Sequence, residues 1–171
     1  EGNVSVSYKG KLVKADNLIY DKLNKKIEAK GNITFILGDQ IFRVSQLEYN
    51  FISEKGFLLE VKGVINSNTL MDDISSNFSS SDSKKLETLI DFNKKEVINT
   101  PANLQNWLFF TEKITIDGNK WKSKKAIFSN DLLELKQAKL AINSLEVFPI
   151  NEKLRFKSSL NYLILDEKVS I

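Results

Sequence analysis

Ala15-Asp16-Asn17-Leu18-Ile19-Tyr20-Asp21 returns as Val44-Ser45-Gln46-Leu47-Glu48-Tyr49-Asn50, and Gly2-Asn3-Val4-Ser5-Val6 returns as Gly31-Asn32-Ile33-Thr34-Phe35. A degenerate copy stands at Ser123-Lys124-Lys125-Ala126-Ile127-Phe128-Ser129, and a fainter one ends in Ser159-Leu160-Asn161-Tyr162. Apolar and polar residues alternate within the copies, the period of a strand with one buried face. A unit of about thirty residues with a single apolar face buries it only by stacking on its neighbours. The repeat predicts an elongated β structure with one continuous apolar interior.

The alternation continues outward from these stretches. Val4, Val6 and Tyr8 precede a tight turn at Lys9-Gly10, after which Val13 and Ala15 share one face and Leu18 and Tyr20 the next parity. Ile27, Ala29, Gly31, Ile33, Phe35 and Leu37 keep one parity, which predicts a long half-buried strand. Asp21-Lys22-Leu23-Asn24 and Gly38-Asp39 read as turns. Phe42 and Val44, then Leu47 and Tyr49, repeat the parity switch, and Phe57, Leu59, Val61, Gly63 and Ile65 read as another single-parity strand. The switch falls between Ala15 and Leu18, between Val44 and Leu47, and between Ser123 and Ala126. A step of three swaps faces unless a bulge takes up one residue. A bulge or sharp bend is therefore expected at the same place in each copy, curling the sheet around an interior. The last copy, with Leu154, Phe156, Ser158, Leu160 and Tyr162, lacks the extra residue and reads as straight.

Residues 67–106 break the pattern. Ser75 to Ser81 is polar, Asp82 or Ser83 can cap a short helix carrying Leu86, Leu89 and Ile90, and Asn99-Thr100-Pro101 ends it. The organisation is thus a first β repeat block over 1–66, a loop and short helical insertion over 67–106 with its apolar stripe docked on the parent domain, and a second β repeat block of the same domain over 107–171. In that block Ile114 and Ile116 precede a turn at Asp117-Gly118, followed by Trp121, Ser123, Ala126 and Phe128. The chain starts in mid-pattern and stops without a cap, which reads as a mature fragment or an excised domain.

Composition narrows the function. The chain carries a net charge of +3, but only Arg43 and Arg155 are arginines, which disfavours bidentate reading of phosphates or bases; no nucleic-acid partner is expected. It has no Cys and no His, so thiolate chemistry and the commonest general base and zinc ligand are missing; no metal and no cofactor are expected. Asp72-Asp73 reads as a solvated turn, and Asp16 and Asp21 read as turn-formers, since the matching positions of the other copies hold Ser45 and Asn50, then Lys124 and Ser129. Trp107 and Trp121 are candidate sugar platforms, but Trp121 has the inward parity of a core residue. The motifs of nucleotide-binding loops and hydrolytic centres are absent, and no catalytic residue or enzyme activity is predicted.

The candidate binding residues are the inward apolar face: Val4, Val6, Val13, Ala15, Leu18, Tyr20, Ile27, Ala29, Ile33, Phe35, Phe42, Val44, Leu47, Tyr49, Phe57, Leu59 and Val61, continued by Ile114, Ile116, Trp121 and Phe128. Two readings of that face stay open. Either the sheet fills its inside with its own side chains, as a structural or carbohydrate-binding β-repeat module does, or it holds an apolar ligand such as an acyl chain.

The order Gly2-Asn3-Val4…Ala15-Asp16-Asn17-Leu18-Ile19-Tyr20-Asp21…Ala29-Lys30-Gly31-Asn32-Ile33 resembles the repeat of the OstA-like family, which comprises periplasmic lipopolysaccharide-transport proteins and the N-terminal domain of the outer-membrane assembly protein LptD. Trp107-Leu108-Phe109-Phe110, Asp117-Gly118-Asn119-Lys120-Trp121 and Ala126-Ile127-Phe128-Ser129-Asn130-Asp131 are similar to the cyanobacterial branch of LptD. The resemblance implies a mainly β fold, an open β-jellyroll of repeated antiparallel hairpins, in the periplasm as part of an outer-membrane protein. It further implies that lipopolysaccharide acyl chains move along the apolar interior, that an LptA-like bridge protein adds edge to edge by β-augmentation, and that an outer-membrane barrel with its plug lipoprotein receives the lipid. The 67–106 insertion departs from the family pattern, and whether it plugs the groove is the question it raises.

Overall fold

The computed structural model describes residues 4–8, 10–74, 106–129, 138–151, 153–165 and 169–170. They form strands β1 (Val4–Tyr8), β2 (Lys11–Ala15), β3 (Asn17–Asp21), β4 (Lys26–Leu37), β5 (Gln40–Asn50) and β6 (Lys55–Asn66), a short helix α1 (Leu70–Ile74), and strands β7 (Asn106–Asp117), β8 (Lys120–Ser129), β9 (Ala138–Ile150), β10 (Lys153–Lys157), β11 (Asn161–Leu165) and β12 (Val169–Ser170). The expected helix with Leu86, Leu89 and Ile90 lies outside the described residues.

All twelve strands belong to one antiparallel sheet that follows chain order from β1 to β12, and the sheet does not close on itself. Two neighbours leave the main path. β2 and β3 pair with successive halves of β4, and β10 and β11 with successive halves of β9, so each pair is one strand broken in the middle. The insertion leaves the sheet between adjacent strands, because Asn66 at the end of β6 pairs with Asn106 at the start of β7.

The hairpin ends repeat as the sequence does. Asp21 accepts the backbone N–H groups of Leu23 and Asn24 at 2.9 and 3.0 Å, and Asn50 accepts those of Ile52 and Ser53 at 2.9 and 2.8 Å. Four residues after each, Lys25 and Glu54 take left-handed backbone angles, with φ of 50° and 54°. A short polar side chain that satisfies the turn's own amides suffices here, which is why a carboxylate in one copy becomes an amide in the next.

A seam of irregularities crosses the sheet midway along the strands. It runs through Asp16, the Lys30–Ile33 shift of β4, Ser45, Glu60, Lys124, Ser144 and the Ser158–Leu160 break. Glu60 and Ser144 lie inside strands with φ of 50° and 53°, the mark of a residue accommodated by a bulge. The expected bend is thus present in the three repeat copies and is shared by strands outside them. The last copy does not run straight: the chain leaves strand geometry at Ser158–Leu160, and the step from Phe156 to Asn161 moves Tyr162 opposite the outward Ala141.

Along this seam the sheet folds over, and the two halves of its inner face meet. Phe35 and Phe42, from one half, approach Trp121, from the other, at ring-centroid distances of 6.5 and 6.0 Å. Every extra residue is needed for this, since without the bulges the halves could not both turn their apolar side inward. At the seam the hydroxyls of Thr111 and Ser123 share a hydrogen bond of 2.6 Å, and both oxygens lie within reach of the Lys125 carbonyl, at 2.7 and 3.0 Å; one hydroxyl donates to the other, which donates to the carbonyl, so the bulge leaves no acceptor stranded inside.

Candidate functional site

The inner face is a single apolar surface shared by both halves. Val13, Ala15, Ile27, Ala29, Ile33, Phe35, Phe42, Val44, Leu47, Tyr49, Val61, Ile114, Ile116 and Trp121 are buried in one cluster, with Val6, Leu18 and Phe128 packed against it. Val4 is half-buried on edge strand β1. Tyr20 pairs with the inward Ile27 but stays 41% exposed at the open edge of β3.

Two residues of the expected set are on the other side. Phe57 and Leu59 face outward, and Leu58, 1% exposed, is the inward residue of that stretch. The Glu60 bulge is the cause: the inward residues are Leu58 and Val61, three apart, so a constant parity from Phe57 to Ile65 fails. Lys113 covers the outward Phe57 ring at 5.1 Å.

Close packing at the centre depends on a glycine in β6. Phe42 pairs with Gly63, which pairs with Phe109, and the two rings meet edge-on across the glycine at 6.2 Å. A Cβ on Gly63 would run into the Ile41 carbonyl and the Phe42 ring. Small residues here let large rings from alternate strands touch.

An apolar void of about 50 Å³ lies where the halves meet α1 and is lined by Phe42, Phe109, Trp121, Val147 and Phe156 together with Leu70 and Ile74 of the helix. The insertion thus reaches into the interior, and α1 stops that end of it. Leu70 and Ile74, one turn apart, point the same way. A buried polar latch holds them there. Gln40 at the start of β5 is fully buried; its amide donates to the Asp73 carboxylate at 2.7 Å and to Thr69 Oγ1 at 3.1 Å, while its oxygen accepts the N–H of Asn66 at 2.8 Å. Asp73 also accepts the N–H of Asp39 at 3.0 Å. It lies over Gly38, where any side chain would collide with it. Asp73 is therefore no solvated turn residue: it is 4% exposed, and burial raises its pKa above the ordinary carboxylate value against the pull of the Gln40 amide, the Asp39 N–H and the Thr69 hydroxyl. Asp72 beside it is exposed.

The interior opens at the sheet edges. On β10 and β11 the inward side chains of Phe156 and Leu163 are 54% and 43% exposed. Leu37, Phe51, Leu58, Ile65, Phe109, Ala126, Leu145 and Val147, with Leu70 and Ile74 of α1 and Phe156 at the rim, belong to the face beyond the expected set. Parity counted back from Thr111 and the four-residue spacing of Leu70 and Ile74 were the available signals. Trp121, 8% exposed within the core, presents no platform to a sugar, and Trp107 is half-buried. No group of acidic residues among the described residues could hold a metal ion. No helix of the described residues is long and apolar enough to cross a membrane, which leaves membrane strands unaddressed.

No protein family, curated protein or solved structure matches this chain.

Proposed function

We propose that the inner face of the folded sheet takes up the acyl chains of lipopolysaccharide, and that the chain is a periplasmic, non-enzymatic domain of an LptD-like outer-membrane protein. In this reading an LptA-like bridge protein meets one sheet edge and delivers lipid toward a membrane barrel and its plug lipoprotein. One observation carries the proposal: a continuous apolar face runs through both halves of the sheet and emerges at its edges, at Tyr20 on one side and at Phe156 and Leu163 on the other. A soluble domain that served only to pack itself would gain by covering such edges.

The void of about 50 Å³ is too small for an acyl chain, since a cavity of about 150 Å³ holds one benzene. Loading therefore requires the halves to part or α1 to leave, and Leu70 and Ile74 occupy the volume that the chain would take. That same small void favours the second reading, a scaffold that fills its own core.

Brominated fatty acids quench a tryptophan that they touch. In a Trp107→Phe background they should quench Trp121, and Leu70→Ser with Ile74→Ser should strengthen the quenching by freeing the stopper. Absence of quenching in both proteins, with the fold intact by circular dichroism, would select the self-filled scaffold.

A further inference from the structure

The outer face of the sheet is not uniform in charge. On the half that holds the Asp21 and Asn50 turns, the outward positions of β3 to β6 carry Lys26, Lys30 and Lys55 against Asp21, Glu28 and Glu48. Across β7 to β10 the same face carries Lys113, Lys120, Lys122, Lys153, Arg155 and Lys157 against Asp117 and Glu146. The register places these side by side, with Lys122 opposite Glu146 and Glu146 opposite Lys157. Lys122 pairs with Glu146 at 3.2 Å, and its hydrogen bond, helped by Lys120 and Lys157, holds the Glu146 carboxyl below its ordinary range. At the centre lies Phe148, with the ammonium groups of Lys120 and Lys157 over its ring at 5.2 and 5.5 Å. Ile150, on the same outward parity and next to Lys153, is 40% exposed.

We infer that this outer face of β7–β10 docks on an anionic lipid surface, with Lys153, Arg155 and Lys157 toward the headgroups and Ile150 at the interface. Cations ringed around a half-buried Phe148 and an exposed Ile150 suit a boundary where charge and hydrocarbon lie within one side-chain length. The alternative polyanion, a nucleic acid, fits less well. Five of the six cations are lysines, which act as point charges rather than bidentate forks, and two ammoniums cover the one central ring that a base would stack on. The inference is independent of what the interior binds.

The test is co-sedimentation of the full chain with vesicles of phosphatidylcholine, with and without phosphatidylglycerol. Binding is expected only with phosphatidylglycerol and should weaken as salt rises. The triple variant Lys153→Gln/Arg155→Gln/Lys157→Gln should lose on the order of a hundredfold in affinity, each cation at an anionic surface being worth about a factor of five. The control triple Lys26→Gln/Lys30→Gln/Lys55→Gln, with the same change in net charge on strands β4 and β6 of that face, should retain binding. Equal losses in both triples, binding to pure phosphatidylcholine, or competition by a single-stranded oligonucleotide at matching affinity would each overturn the assignment. Vesicle binding without Trp121 quenching by fatty acids would keep the docking face and remove the acyl-chain reading.

Discussion

The central strands β4 to β6 and the terminal strands β9 to β11 follow one plan with opposite results. Each contains a seam at mid-strand and inward apolar residues on both sides of it. In the centre Phe42 is 1% exposed, covered by Phe35, Phe109 and Trp121; at the edge Phe156 is 54% exposed. The residue type hardly differs, so the difference comes from neighbours. A central strand is flanked on both sides and faced by α1 and the opposite half, whereas β10 has a partner only in β9. The seam differs as well: a bulge absorbs the irregularity in the centre, and a three-residue break takes its place at the edge. Burial in a repeat protein is set by position in the stack, and an end unit exposes the surface that its siblings hide.

Truncating Phe42 and Phe156 separates the packed centre from the open edge most directly. Phe42→Ala should cost about 3–5 kcal/mol in denaturant unfolding, as for a fully packed ring, while Phe156→Ala should cost under about 1 kcal/mol. Similar losses at both sites would mean that the edge is covered. Next in size, Gly63→Ala should destabilise by about 1–3 kcal/mol through overpacking against Phe42 and the Ile41 carbonyl; an unchanged midpoint would show that the centre has slack.

The latch gives a pH signature. Asp73 has a raised pKa, so between the ordinary 3.8 and that raised value the folded chain holds its proton more firmly than the unfolded chain. The folded state then binds more protons, and the contribution of Asp73 to stability falls as pH rises through this window. Compared with Asp73→Asn, which has no such proton, the natural chain should gain stability as pH drops from neutral toward 3.8. Parallel thermal-unfolding profiles for the two proteins would place Asp73 in solvent. A small effect of opposite sign is expected at the seam: Glu60→Gly should stabilise by up to about 1 kcal/mol, because glycine accepts a positive φ without a Cβ clash. A loss of stability there would say that Glu60 holds its conformation through its side chain.

Much of this was legible because strand parity is a local property. The inward sets of β2 to β5 and the bends at Asp16, Ser45 and Lys124 followed from counting residues between apolar positions. Parity failed at Phe57-Leu58-Leu59, where three consecutive apolar residues fit either register and the bulge that decides between them sits on a glutamate with no sequence mark. It failed also at Ser158–Leu160, since a break can hide in a stretch that alternates well. The outer face escaped for a related reason: Leu12, Ile36, Ile41 and Val64 line up across neighbouring strands opposite the inner set, an alignment that pairing creates and no single strand displays. The Asp73 latch joins residues more than thirty positions apart, so a reading of Asp72-Asp73 in isolation placed both in water. The charge asymmetry of the outer face is likewise a product of register, not of composition.

Photo-crosslinking from aromatic positions on opposite faces of the sheet tests the central claim most directly. A benzophenone side chain placed at Phe156, on the inner rim, should capture lipopolysaccharide through its acyl chains, whereas the same group at Phe57, an outward aromatic on the same sheet, should not. Equal capture at the two sites, or capture at Phe57 alone, would contradict an interior that conducts lipid.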